Sequence, residues 1–455
     1  MQRYRKFVIL AWLGCVALPL HLFGLAPHEL LVIANRNEPT SVRIARAYMQ
    51  VRQIPRQNLV MLDLSPDVDG HYISLDRGAF TEQIWTPAQS TVTQRRLDHI
   101  LAWVFSTHIP FRVDHELSVS VQGLVFLRNV LPAANAITRA EYSSPLFVGP
   151  ANPNDIVLPP RSLQVAAASL RAEVPIPSMS LGYIGPRGNT EEEILGMIER
   201  SVRADASAPS GTVFFVTGED VRARIREWQY QPVRAQLLRM GVGAVITNAV
   251  PTHAGAVLGV MMGARDPNPD QIGTFVPGAV GEHLTSYGAT FDQTSQTKIT
   301  RWISAGVSGT AGTVTEPYAV WPKFPHARFY VHYRSGYSLL ESFYLSLRTP
   351  LQSFLIGDPL VAPWAPAARL RITGVRENEV VRDARDIDLQ ITAPMGMHYG
   401  RFVYMINGLV VGEGPSFRLD PASIPPGLHE LRAVAYRAGL VSSPIFDVVR
   451  FQTAP

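Results

Sequence analysis

The chain is short of the residues that do most exported chemistry by thiol or by charge. Its single cysteine, Cys15, lies in the first 26 residues, so a chain processed there carries none. That excludes disulfides, cysteine metal ligands and thiolate nucleophiles together. Lysine is almost as scarce, occurring only at Lys6, Lys298 and Lys323; arginine carries the remaining basic charge, which reads as a base-composition bias of the genome. Charged residues make up only 17% of the chain, with 41 basic against 37 acidic. Three of the basic ones (Arg3, Arg5, Lys6) sit at the start, so the rest is balanced and carries no nucleic-acid footprint. No stretch is low in complexity, and no internal repeat is present.

What is present is a chain of 455 residues, 46% apolar, with 36 prolines and 34 glycines: enough for two or three packed units. Residues 1–26 open with a basic stretch, continue with an apolar run from Phe7 to Leu25 and end on the small residues Gly24 and Ala26. This is the pattern of a secretory signal peptide. Proline at 27 disfavours a cut directly after Ala26 and moves the expected site by a residue or two. If the leader stays on, about 19 apolar residues can just span a bilayer. The expected location is the periplasm or the exterior, with no membrane span after cleavage.

From residue 27 to 366 apolar runs alternate with helical spacing. Strands are expected at Glu29–Ala34, Leu59–Leu64, Ala102–Phe105, Ser178–Ile184, Thr212–Val216, Ala244–Ile246, Val257–Met262, Gly278–His283 and Ser353–Ile356. Helices are expected at Thr40–Arg52, Glu191–Arg203, Val221–Arg239 and Ser338–Leu347. The alternation predicts an α/β body with a mostly parallel sheet and flanking helices. Ala133–Pro160 reads as an irregular excursion. From 367 to 455 six short alternating runs, punctuated by Asn407-Gly408 and Pro425-Pro426-Gly427, predict an immunoglobulin-like β-sandwich without the disulfide.

The opening LLVIANRNEPTSVRIARAYMQVRQIPRQNLVMLDL (Leu30 to Leu64) resembles the start of an uncharacterised family of exported bacterial proteins. Ile109-Pro110, FVPGAV at Phe275, EPY at Glu316 and GDPL at Gly357 extend the likeness over roughly residues 27–365. More distantly, the run from Gly241 to Leu360, closing on SFLIGDPL before a β-sandwich, is similar to gingipain-type peptidases with a caspase-like core. The resemblance implies a catalytic histidine in a Gly-His-Gly ending one strand and a cysteine ending the next. Here Met262-Gly263-Ala264 and Ser286 fall at those places, so the resemblance supports the fold and predicts that cysteine-peptidase activity is absent.

Candidate site residues follow from chemistry. Ser286 at a strand end is a possible nucleophile if a base stands within about 3 Å; His253, Asp292 and Glu316 are the candidate partners, and a hydrolase rebuilt around Ser286 is the rival reading. Gly306-Val307-Ser308-Gly309-Thr310 lacks the second glycine of a nucleophile elbow, and GTAG at 309–312 lacks the lysine of a phosphate loop. Asn35, Arg36, Asn37 and Glu38 follow the first strand and precede a helix, where an anion can bind or the side chains can simply cap. Asp358, with Glu316 and Asp292, offers a possible acidic cluster. Asp266, Asn268 and Asp270 have the spacing that opens a calcium loop but lack its glycine and downstream glutamate; Asp114, His115 and Glu116 point in different directions. No cofactor is expected. The leading expectation is a catalytically degenerate peptidase-like protein acting in binding or assembly at the cell envelope, its partner an envelope protein or extracellular ligand.

Overall fold

The computed structural model describes residues 24–114, 116–155, 175–438 and 443–454. Ten strands make one large sheet: β1 (Leu30–Asn35), β2 (Leu59–Leu62), β3 (Ala102–Phe105), β4 (Ser178–Ser180), β5 (Thr212–Val216), β6 (Gly243–Thr247), β7 (Ala254–Gly263), β8 (Gly273–Leu284), β9 (Gly309–Thr313) and β10 (Ser353–Gly357). Their order is β2-β1-β3-β4-β10-β9-β8-β7-β5-β6. β1, β3, β4, β9 and β10 are buried along their whole length, as strands covered by helices on both faces must be.

The sheet is mostly parallel, with one antiparallel ladder: β9 against β10 over five residue pairs, Gly309↔Gly357 to Thr313↔Ser353. β4 touches β10 through a single pair of parallel type, Ser180↔Ile356; one pair does not set a strand's direction, and the contacts of Tyr183 with Phe291, of Phe291 with Phe354 and of Asp358 with Tyr48 and Arg52 make β10 run opposite to β4. The missing ladder bonds are replaced by one side chain. Gln122 takes the Leu355 amide on Oε1 (2.8 Å) and donates Nε2 to the Leu355 carbonyl (2.9 Å) and to Ser180 Oγ (3.0 Å). Aromatic packing shows which strand ends lie together. Phe111 after β3, Tyr183 after β4, Phe291 after β8 and Phe354 at the start of β10 form one cluster, with Tyr183 and Phe291 stacked at 4.1 Å. The carboxyl ends of β3, β4 and β8 therefore share an edge, and the residue after β10, Asp358, emerges at the other.

Several elements differ from expectation for identifiable reasons. Gly309–Thr313, not among the expected strands, is the buried β9: its glycines let Leu339 and Ile299 pack where side chains would stand. The helix expected over Val221–Arg239 is interrupted. A short turn Val221–Arg224 gives way to a 3₁₀ turn Glu227–Gln229 and a new helix Tyr230–Arg239, because Arg226 turns inward to pair with the buried Glu282. Pro232 sits in the first turn of the new helix, where no amide is needed. Within the expected excursion Ala134–Arg139 is helical; its residues 156–160 lie outside the described ones, as does the leader up to residue 23. Among the described residues no helix is long and apolar enough to cross a membrane.

The C-terminal part is all β. A three-stranded sheet (Arg369–Thr373, Arg385–Thr392, Phe417–Leu419) and a five-stranded one (Glu379–Val381, Ile445–Thr453, Gly427–Arg437, Tyr399–Ile406, Leu409–Glu413) enclose Leu370, Ile372, Ile387, Tyr404, Leu431 and Phe451. Two of these strands, 379–381 and 409–413, are too short or too exposed for alternation to mark. Because side chains alternate along Gly427–Arg437, Leu431, Ala433 and Ala435 fill that core while Arg432, Val434 and Tyr436 face away from it. Tyr436 and Arg432 are used against the α/β body. The Tyr436 hydroxyl donates to Glu29 Oε1 (3.0 Å) beside His28 Nε2 (3.0 Å), and Arg432 donates to the Gln53 carbonyl.

Candidate functional site

Open α/β sheets bind ligands beyond the carboxyl ends of their strands, and here that edge holds Ser286, Glu316, Asp292 and Asp266. Ser286 follows β8. Its loop is held by Gln296 Oε1, which accepts from Thr285 Oγ1 (2.7 Å) and the Tyr287 amide (2.8 Å), and by Thr313 Oγ1, which donates to the Ser286 carbonyl (3.1 Å). Ser286 lines a cleft of about 350 Å³ with Thr285, Arg222, Glu316 and Tyr318. Glu316 accepts the Tyr318 amide (2.9 Å), and burial with Glu316 alongside raises the Tyr287 phenol above its ordinary value.

No histidine among the described residues completes this serine. Among the described residues its hydroxyl has no hydrogen bond to a histidine. His253 precedes β7 at Ala254, whereas Ser286 lies past the opposite end of the β7–β8 ladder, where Gly263 pairs with Leu284. Nine residues of strand, about 30 Å, separate the two. The nearer imidazole, His283, is fully buried: its Nδ1 accepts from Trp302 Nε1 (2.8 Å) and its Nε2 donates to the Thr297 carbonyl (3.0 Å). Burial holds it neutral, with a pKa lowered to about 4. Gly263 has no room for a side chain. A Cβ there would lie 2.0 Å from the Arg222 carbonyl carbon, and Arg226 behind it donates to the Met262 carbonyl and pairs with Glu282 at 2.5 Å.

The other sequence candidates are distributed rather than gathered. Asp292 accepts from Arg112 Nη1 (3.2 Å). Asp358 is not part of an acidic cluster with it. Because β10 is reversed, Asp358 lies at the far edge, fully buried, accepting from Tyr48 Oη (2.8 Å) and from Arg52, which also pairs with Asp205. Asn35 is buried with its amide spent inside the fold: Nδ2 donates to the carbonyls of Leu64 and His108, and Oδ1 accepts from the Asn37 and Leu64 amides. Arg36 donates to the Met61 carbonyl and Asn37 to Asp63 and Leu64. These three fasten loops together. The calcium-like trio does not converge either: Asp266 pairs with Arg265, Asp270 with Arg301, and Asn268 Oδ1 accepts the Asp270 amide. Among the described residues no three His, Cys, Asp or Glu side chains come together in a way that could hold a metal ion. Asp266, Asn268, Arg187, Lys298 and Arg301 instead line a charged groove of about 620 Å³.

Sequence reasoning missed a second cluster on the same edge. From β1 the chain moves to β2 on one side and later to β3 on the other, which makes the gap between β1 and β3 a topological switch point. Glu38 follows β1 and His108 follows β3, with His108 Nε2 3.8 Å from Glu38 Oε2. Tyr72 donates to Glu38 Oε1 (2.9 Å), packs edge-on to His108, and has its phenol pushed up to about 12 by burial and by Glu38. Burial lowers the His108 pKa, and its backbone adopts φ +55°. Carboxylate, imidazole and phenol here can hold a polar ligand or relay a proton. The available signal was the order of strands, which composition and spacing do not reveal. The lysines are equally hidden: Lys298 and Lys323, buried and each donating to main-chain carbonyls, both have pKa values lowered to about 8 by burial.

No protein-family model matches the chain, and no curated protein does. Among solved structures, fibronectin(III)-like modules of CbhA from Clostridium thermocellum align at 19% identity over 19% of this chain and 99% of theirs, TM-score 0.16. The endo-beta-1,4-mannanase from Thermotoga petrophila aligns at 8% identity over 58% of this chain and 49% of its own, TM-score 0.17. Both likenesses are too weak to bear on fold or function.

Proposed function

We propose that the protein is an exported, catalytically degenerate member of the caspase-like class, with an immunoglobulin-like C-terminal sandwich, that works by binding a protein or other ligand at the cell envelope. The observation that carries this reading is Gly263. At the position where a peptidase of that class holds its histidine, a main-chain carbonyl occupies the space of a side chain. The neighbouring position has Ser286 in place of cysteine, and the only imidazole close in sequence, His283, is consumed by Trp302 and Thr297. A serine without a histidine to take its proton is a poor nucleophile. What the edge retains is recognition chemistry: the groove around Arg187, Lys298 and Arg301, the Ser286 cleft, and the Glu38, Tyr72 and His108 crevice. The test is a fluorophosphonate probe and a fluorogenic peptide panel applied to the purified exported protein. Neither is expected to give signal; labelling or cleavage that disappears in Ser286→Ala overturns the proposal.

A further inference from the structure

The first described residues are interior ones. Leu25 is 6% exposed and Ala26 fully buried. The Ala26 amide donates to Glu29 Oε2 at 2.7 Å, and the other oxygen of Glu29 accepts from Tyr436. Gly24, Leu25 and Pro27 line a cavity of about 290 Å³ between the α/β body and the C-terminal sheets, with Glu341 and Phe446 also in its wall. Glu341 is 2% exposed. Its Oε2 accepts from the Ser338 amide (3.0 Å) and hydroxyl (2.8 Å), closing the cap of helix Leu339–Ser346; its Oε1 has no side-chain hydrogen-bond partner among the described residues. The Leu25 amide lies beside this carboxylate. The guanidinium in the same cavity wall, Arg52, is already taken by Asp358 and Asp205. A buried carboxylate without a cation is costly, and burial raises the Glu341 pKa to about 7.

We propose that a signal peptidase cuts between Gly24 and Leu25, and that the new α-ammonium of Leu25 seats on Glu341 as its missing counterion. One water hydrolyses the Gly24–Leu25 amide: Gly24 leaves with the leader as a carboxylate, and the freed Leu25 nitrogen takes up a proton. Gly24 supplies the small residue directly before the cut, although Leu22 stands where the A-x-A pattern has its other small residue. A cut after Ala26 would place proline next, strip two buried residues from the junction, and remove the amide that Glu29 accepts. A cut after Gly24 keeps both residues and exchanges a single N–H donor for an ammonium with three.

The inference rests on export and is tested on exported full-length protein by intact mass and N-terminal sequencing. The expected first residue is Leu25. Under native conditions an N-terminus-selective aldehyde should label it slowly. Glu341→Gln should speed labelling about tenfold and lower Tm, whereas the same substitution in chain made without export, leader attached, should leave Tm unchanged or raise it. A start at Pro27, or Met1 retained in exported material, overturns the cut. A Leu25 start that labels as fast as in unfolded chain overturns the ammonium seat even if Glu341→Gln misfolds. Failure to appear in the exported fraction overturns export as well, and so is distinguishable.

Discussion

At the scale of single residues, the features that decide chemistry here are steric and electrostatic rather than compositional. Gly263 looks in sequence like any strand-end glycine, yet it is required because the Arg222 main chain stands where its Cβ would go. Gly263→Ala should destabilise by about 3 kcal/mol, the upper end for overpacking, because backbone cannot swing aside as a side chain can; urea denaturation reads this directly. In sequence Asp358 reads as part of an acidic cluster with Glu316 and Asp292. In the fold it neutralises Arg52 from the buried side, so Asp358→Ala should cost about 3–5 kcal/mol by leaving that guanidinium short of a partner. If instead Asp358→Ala leaves stability alone and abolishes binding, the assignment of Asp358 to the fold is wrong. Ser286 was legible as a strand-end hydroxyl, but its separation from His253 depends on which edge that histidine occupies, and only the β7–β8 register fixes that.

At the scale of elements, strands and helices with clear periodicity were legible to within a few residues: β3 and β5 match to the residue, and the helix at Glu191–Ala204 differs by one. Elements whose identity depends on neighbours were not. β9 is a run of glycine and threonine that becomes a buried strand because Leu339 and Ile299 need the space. The interruption near Ile225 follows from the Arg226–Glu282 pair, whose partners lie 56 positions apart. Strand reversal was equally hidden: β10 reads as an apolar run whichever way it points. Its junction with β4 depends on Gln122, so Gln122→Ala should cost about 3 kcal/mol by leaving the Leu355 amide and carbonyl unpaired in the core. Chemical denaturation measures this, and a change under about 0.5 kcal/mol would mean the β4–β10 junction closes without it.

At the scale of the whole molecule, the sandwich is fastened to the body by Tyr436 and Arg432, on the face of the five-stranded sheet turned away from its own core. Tyr436→Phe leaves Glu29 Oε1 short of a donor and should lower stability by about 1–3 kcal/mol, with faster proteolysis in the 363–368 linker. Acid should weaken the molecule as a whole. His283 and His99, with pKa values lowered to about 4, and His332, lowered to about 3, are held neutral by burial. Unfolding lets them take up protons below the ordinary value of about 6.5. Their stabilisation is therefore complete above that pH and is lost as pH falls toward 4, by about 3 kcal/mol for His283 alone. A Tm series from pH 7.5 to 4.5 checks this, and a flat series would contradict it.

By itself the sequence determined that residues 27–455 have no thiol and that an α/β body precedes a β-rich end, because these depend on residue identity and local period. Only the tertiary structure decided which candidates meet. Strand order brings Glu38 to His108, and reversal of β10 sends Asp358 away from Glu316. Edge placement separates His253 from Ser286, and close packing closes Gly263. Each depends on long-range pairing, which the alternation of a strand leaves open because period two is the same in either direction and at any position in the sheet.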